Sequence, residues 1–264
     1  MSIISRFKIG KESDKEKAVE RLITESTPDF DFFFLVVLSV LMASLGLLVN
    51  NVAVVIGSML IAPILYPILS LSLGIVISDS KLIYRSFFTV LKASSLAIIA
   101  SFLITLFFSG WHEGLTSEIL LRTEPSFIYF TIALIAGLAV AYTLAYPTID
   151  STLPGIAVSV ALIPPLAVIG IGFAKLNPEV IGGSFVLFIL NISGIIFASL
   201  VAFSLMDFTK KREVVKNTIQ KEERRVETEE KKVKEVDKEA EVEKEVQKLG
   251  KEREQETEEK REGN

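Results

Sequence analysis

The chain has no cysteine, a single histidine and a single tryptophan. The first absence excludes disulfides and thiolate metal sites. The lone His112 sits beside Trp111 in a polar stretch, so no metal-ligating histidine lies in the apolar runs. An intramembrane metalloprotease needs several His or carboxylate ligands, and an aspartyl protease needs two buried Asp; neither set is present in those runs. A Ser–His pair would have to reach a serine from the edge of a membrane. Trp111-His112 reads as an interfacial anchor. The sequence therefore points away from an enzyme and calls for no metal and no cofactor.

Charge is missing from long stretches as well. No Asp, Glu, Lys, Arg or His occurs from Phe32 to Ser78, a run of 47 residues. Further such runs are Ala93–Trp111, Pro125–Ile149, Ser151–Ala174 and Val180–Met206. Yet charged residues make up 23% of the chain against 50% hydrophobic, and mean hydropathy is +0.48. The charges are segregated, and runs near or beyond the roughly 20 residues of a bilayer crossing recur too often for one signal segment. This is the pattern of a polytopic membrane protein.

The expected fold is all-α: a helix bundle of six spans, arranged as two inverted three-helix repeats whose second helices are broken, followed by a charged C-terminal helix. Residues 1–29 form a basic leader carrying Arg6, Lys8, Lys11, Lys15, Lys17 and Arg21, read as retained. Residues 30–109 hold the first three spans, 110–126 an outer linker, 127–208 the second three spans, and 209–264 the tail. In the first half, Phe32–Val49 is a plain span. Val52–Ile77, with Pro63 and Pro67, is too long for one straight crossing and is expected to break. In the second half Pro154–Ala174, with Pro164 and Pro165, is the counterpart. Shifting the first half by 102 positions superposes Leu60, Ile61 and Pro63 on Leu162, Ile163 and Pro165.

The positive residues set the orientation. With the N-terminus inside, eleven Lys/Arg flank the spans on the inner side, against Arg122 and Lys175 outside. Both termini are then cytoplasmic and the location is the cell membrane. Three crossings per half, an odd number, invert the second half relative to the first, the plan of many secondary transporters. The tail from Lys211 carries 16 Lys/Arg and 18 Asp/Glu. Ile219, Val226, Val233 and Ala240 recur every seven residues, but Glu222 and Glu229 occupy positions of the second seam. The tail reads as a solvated charged helix, with a coiled coil or a disordered segment as the alternatives.

Irregular backbone survives in hydrocarbon only where protein or a water-filled cavity covers it. Two proline-broken helices at matching positions point to a midplane site. The candidate pathway-lining residues are Asn50, Asn51, Ser58, Pro63, Pro67, Asp150, Ser159, Pro164, Pro165 and Asn191. Asn50-Asn51 and Asp150 resemble helix N-caps, and Asn191 falls near the middle of the sixth span. Carbonyls freed before the prolines suit a cation, and the following helix N-termini suit an anion. Intramembrane carboxylates, the usual proton relays, are missing, and Lys92 can snorkel to the interface. The function indicated is a channel or carrier for a small ion or solute. The alternative is a non-transporting membrane scaffold or sensor that presents its charged tail to a cytoplasmic partner. Expected partners are the lipid bilayer, the solute and further copies of the chain, with no nucleic acid.

The blocks GSMLIAPILYPILSLSLG and LPGIAVSVALIPPLAVIGIGFA, with Asn191 in the following span, resemble the domain of unknown function 389 family. The resemblance covers roughly Phe30 to Phe208. It implies an inner-membrane location in a prokaryote and no particular reaction. Larger members carry a soluble N-terminal domain where this chain has its leader.

Overall fold

A computed structural model describes residues 12–108, 114–145, 152–234 and 236, with side chains at all of these but 145 and 152–161. Trp111, His112, Asp150, the start of the leader and residues 237–264 lie outside the described residues. Those described are all helix and turn, with no strand.

The leader carries a helix, α1 (Glu12–Glu25), whose Lys15, Ala18, Val19, Leu22 and Ile23 are buried at three- and four-residue spacing. Ser26 and Thr27 return their hydroxyls to the Ile23 carbonyl at 3.0 and 2.9 Å and end the helix. Asp29 then caps α2 (Phe30–Leu48) by accepting from the Phe32 N–H at 2.9 Å. The helices that follow are α3 (Val52–Met59), α4 (Leu65–Val76), α5 (Ser80–Phe108), the short α6 (Ser117–Leu120), α7 (Phe127–Ala145), α8 (Thr152–Ala174) and α9 (Pro178–Leu205). Among the described residues, four segments are long and apolar enough to cross a membrane: α2, α5, residues 127–144 of α7, and α9. Their outward faces carry large apolar side chains such as Phe34, Leu103, Ile135 and Phe197.

The second helices depart from expectation. The first is broken as predicted, α3 and α4 being separated by Leu60–Ile64. The second is not: α8 is one helix of 23 residues with Pro164 and Pro165 inside it. Each proline withholds one N–H from the carbonyl four residues back, which kinks a helix without having to end it. Here every residue from Leu162 to Gly172 is buried, and α8 packs against α2, α3, α4, α5, α7 and α9. Neighbours on every side hold the turns that the prolines weaken.

Three corners between helices share one construction. Asn50, Ser78 and Leu176 adopt left-handed φ of 54°, 54° and 51°. In each the next residue sends its N–H back to a glycine carbonyl: Asn51 to Gly46 at 2.8 Å, Asp79 to Gly74 at 2.9 Å, Asn177 to Gly172 at 3.0 Å. That residue then caps the following helix, accepting from Val54, Leu82 and Val180 at 3.2, 3.0 and 3.2 Å. The glycine is required by close approach. A Cβ on Gly46, Gly74 or Gly172 would meet the backbone nitrogen of Val55, Ile83 or Ile181 at 3.0, 3.0 and 3.1 Å.

Side-chain contacts identify the two ends of the bundle. At one, Arg85 donates to Thr27 at 2.8 Å, and Lys211, its side chain 7% exposed, pairs with Glu12 and Glu16 of α1 at 2.6 and 2.9 Å. This pairing holds the Glu12 carboxyl below its ordinary range and the Lys211 ammonium above its own. Arg212 lies 3.9 Å from Asp79 at the same end. At the other, Thr116 donates to the Leu47 carbonyl at 2.7 Å, Asn50 accepts from the Glu118 N–H at 3.1 Å, and Ser184 donates to the Arg122 carbonyl at 2.8 Å. Hence α5, which starts at Ser80, and α9, which starts at Pro178, run in opposite directions.

Residues 212–219 are helical and close this first compact unit. The second unit begins at Gln220 and is helical to residue 234. Within it Arg225 pairs with Glu222 at 2.9 Å and with Glu229 at 3.6 Å, the pairing of a single charged helix.

Candidate functional site

The break between α3 and α4 is built by its own carbonyl chemistry. The Ile61 N–H turns back to the Ser58 carbonyl at 3.2 Å, which also accepts the Ser39 hydroxyl of α2 at 2.7 Å. The Ser58 hydroxyl donates to the Val55 carbonyl at 2.6 Å. The carbonyl and the hydroxyl of Ser58, at the end of α3, are therefore both satisfied within the protein. Pro63 lies in the break, and Tyr66 donates its N–H to the Pro63 carbonyl at 3.3 Å. Pro67 falls in the first turn of α4, where a helix needs no donor. The cap position Ile64 supplies no side-chain hydrogen bond, so α4 starts at the break without a side-chain cap.

The other predicted positions are distributed as follows. Asn51 is an N-cap, but Asn50 is the left-handed corner residue, and its side chain holds α6. Both are exposed at the end of the bundle. Pro164 and Pro165 are buried in α8. Ser159 belongs to the same helix, its side chain outside the described residues. Asn191 is 3% exposed on the inner face of α9. Lys92 is exposed on α5, as a snorkelling side chain requires. No cluster of three metal-ligating side chains occurs among the described residues.

Hydroxyls and glycines tie α8 into its surroundings. Ser101 of α5 donates to the Ala167 carbonyl at 2.6 Å, and the Ser44 oxygen of α2 lies 2.8 Å from that of Ser101. One turn on, a Cβ on Gly170 would stand 2.5 Å from the Ser101 Cβ and 2.6 Å from the Ile98 carbonyl oxygen. The backbones of α5 and α8 thus touch, as small residues permit between membrane helices. Gly137 and Gly194 give α7 and α9 a similar approach, with a Cβ at 2.9 Å from Ile195 Cα and 2.8 Å from the Phe130 carbonyl oxygen.

The feature that sequence reading missed is a cleft of about 390 Å³ with walls on α5 and α9 and a floor of α4 and α8. Its lining is paired at a constant offset of 98 residues: Ile68 with Leu166, Leu71 with Ile169, Phe87 with Phe185. Val90 with Phe188, Leu91 with Ile189, and Ser94 with Ile192 continue the series. Two of the corners obey the same offset, Gly74–Asp79 matching Gly172–Asn177. The expected register of 102 is therefore one helical turn out, because it aligned Pro63 with Pro165. At 98 the matching prolines are Pro67 and Pro165, and Ser86, Ala100 and Ser101 fall on Ser184, Ala198 and Ser199. Those identities were the available signal.

Helices without strands among the described residues, several of them long and apolar with large apolar side chains facing outward, mark a membrane protein. It belongs to the family defined by the Domain of unknown function (DUF389), whose model matches residues 59–197, just over half of the chain. It is 30% identical over 228 residues to the uncharacterized protein MJ0678 of Methanocaldococcus jannaschii, covering 80% of this chain and 69% of that protein. No solved structure matches.

Proposed function

We propose that the chain crosses the membrane six times, as two inverted three-helix halves with both termini cytoplasmic, and that it conducts or carries a small ion or solute. The observation that carries this reading is the constant offset of 98 between the facing walls of the cleft. Helices related by one offset yet running in opposite directions are what an inverted duplication yields, and such halves characteristically place a substrate path where their second helices meet. Support for the topology comes from the end-to-end contacts: Thr27, Asp79, Arg85 and Lys211 gather at one end, and Asn50, Thr116, Arg122 and Ser184 at the other. Along the path we place the break at Leu60–Ile64, the N-terminus of α4, Pro164 and Pro165 of α8, and Asn191. At the offset of 98, Asn191 faces the place of Ala93, so it has no polar counterpart. The reading is of a non-catalytic protein.

The test is flux of an ion and solute panel through purified protein in liposomes. Asn191→Leu is expected to suppress flux while leaving the melting temperature near that of the parent, since leucine suits a bundle interior. Pro63→Ala is expected to alter flux by letting α3 and α4 straighten. Cysteines introduced at Ser5, Thr116 and Gly263 should label from inside, outside and inside. Leu60, in the break, is 55% exposed, and this favours the scaffold reading. Flux absent from the parent, or unchanged in both variants, would establish that alternative.

A further inference from the structure

We infer that the cleft between α5 and α9 is a binding site for one hydrocarbon chain of a membrane lipid, inserted sideways at mid-depth. The walls open outward, for Phe87 and Phe185 stand 51% and 53% exposed, on the surface that also bears the other outward-facing apolar side chains. The floor is closed by Leu166 and Ile169, at 0% and 2% exposure. Phe87 to Ile98 spans about 17 Å of α5, roughly half the thickness of a hydrocarbon core and near its centre.

Chemistry decides the occupant. Ser94 and Ser95 are the polar residues of the lining, and Ser95 spends its hydroxyl on the Leu91 carbonyl at 2.9 Å. An ion would find no compensation there, and water needs two to four polar partners to settle in a cavity. An apolar cavity of this kind instead takes up apolar guests. At about 390 Å³ it falls within the range of small-ligand sites, and it adjoins acyl chains on its open side. Left empty, its lining would forfeit dispersion contacts on one whole face. A chain lodged here touches α5 and α9 at positions paired by the offset of 98. This inference rests on the fold of the cleft and is read by binding, whereas the transport reading is tested by flux, so either can fail alone.

The experiment uses the full chain in vesicles of phosphatidylethanolamine and phosphatidylglycerol containing a trace of phospholipid with a diazirine midway along one acyl chain. After irradiation, labelled peptides are mapped by mass spectrometry. Labelling of segments 87–98 and 185–196 is expected to exceed that of the equally exposed faces at Phe34 and Ile135 by about tenfold, a preference of about 1.4 kcal/mol. Two variants that fill the cleft from opposite walls, Ser94→Phe and Ile192→Trp, should each bring the signal down to that background. Even labelling of all exposed faces in the parent protein overturns the proposal, whatever the variants do. So does an enriched signal that both folded variants leave intact.

Discussion

The segment of α3 and α4 holds Pro63 and Pro67, its counterpart α8 holds Pro154 near its start and Pro164 and Pro165 in its interior, and the chain responds to them differently. In the first half it stops at Met59 and restarts at Leu65; in the second it runs through from Thr152 to Ala174. At the offset of 98 residues the halves share one proline, Pro67 with Pro165, while Pro63 faces Ala161 and Pro164 faces Tyr66. The break therefore follows the unmatched Pro63 and not the shared one. Surroundings complete the difference. Leu60 and Pro63 are at least partly exposed, whereas α8 is buried without interruption from Leu162 to Gly172. A proline in a helix costs a hydrogen bond and a steric clash, and whether the helix ends there depends on what else holds its turns.

Exchanging counterparts across the halves tests this most severely at Gly170, whose partner is Ser72. Gly170→Ser places a Cβ within 2.6 Å of the Ile98 carbonyl oxygen, which is backbone and has no rotamer to escape into. It also pushes on Ser101, which anchors α5 to α8 and α2. The expected loss is about 3 kcal/mol or more, beyond ordinary overpacking, seen as a collapse of thermal stability in detergent. The reverse exchange, Ser72→Gly, removes a hydroxyl that only returns to the Ile68 carbonyl at 3.1 Å. It should cost about 1 kcal/mol, the usual penalty of glycine in a helix. Equal losses in the two variants would contradict the view that α8 is the tightly held half.

A middle-sized effect is expected at the prolines. Pro164→Ala supplies an N–H inside a continuous helix and should stabilise by about 1–3 kcal/mol, the upper figure being the full helix-interior cost of proline. Pro67→Ala acts in the first turn of α4, where no donor is needed, and should change stability by less than about 1 kcal/mol. A larger gain at Pro67 than at Pro164 would show that burial does not carry the proline strain in α8.

Some of this architecture was legible beforehand and some was not, for identifiable reasons. The uncharged runs disclosed the long helices, because only sustained apolarity suits a bilayer. Pro63, in a stretch too long for one crossing, disclosed the break. The continuity of α8 was hidden, since it depends on burial by six other helices, and no local pattern encodes that. The leader helix was hidden by its lysines: Lys15 reads as solvent-facing, yet it is buried and lies 3.4 Å from Glu12. The register of 98 was present in Gly74/Gly172 and Phe87/Phe185 but outweighed by the prominence of the prolines. Asn50-Asn51 looked like one polar turn. Only geometry separates the left-handed residue from the cap.

That distinction gives the smallest and sharpest comparison, between the corners themselves. Asn50, Ser78 and Leu176 all hold left-handed φ, but they are not equally suited to it. A left-handed conformation costs an ordinary L-residue about 1–2 kcal/mol, and asparagine visits it more readily. Leucine has no polar atom with which to bond locally, and Leu176 is 85% exposed, so its side chain gains little in return. Leu176→Gly should therefore stabilise the protein by about 1 kcal/mol, and Ser78→Gly by less. Asn50→Gly should destabilise, because its side chain accepts from both Ser117 and the Glu118 N–H, at 3.0 and 3.1 Å, and so ties α6 to the end of α2. Melting temperatures of the three variants, measured side by side in one detergent, would rank them. If Leu176→Gly proved neutral or harmful, the leucine would have to be making a contact at that end of the bundle that outweighs its backbone strain, and the three corners would no longer be one construction with interchangeable parts.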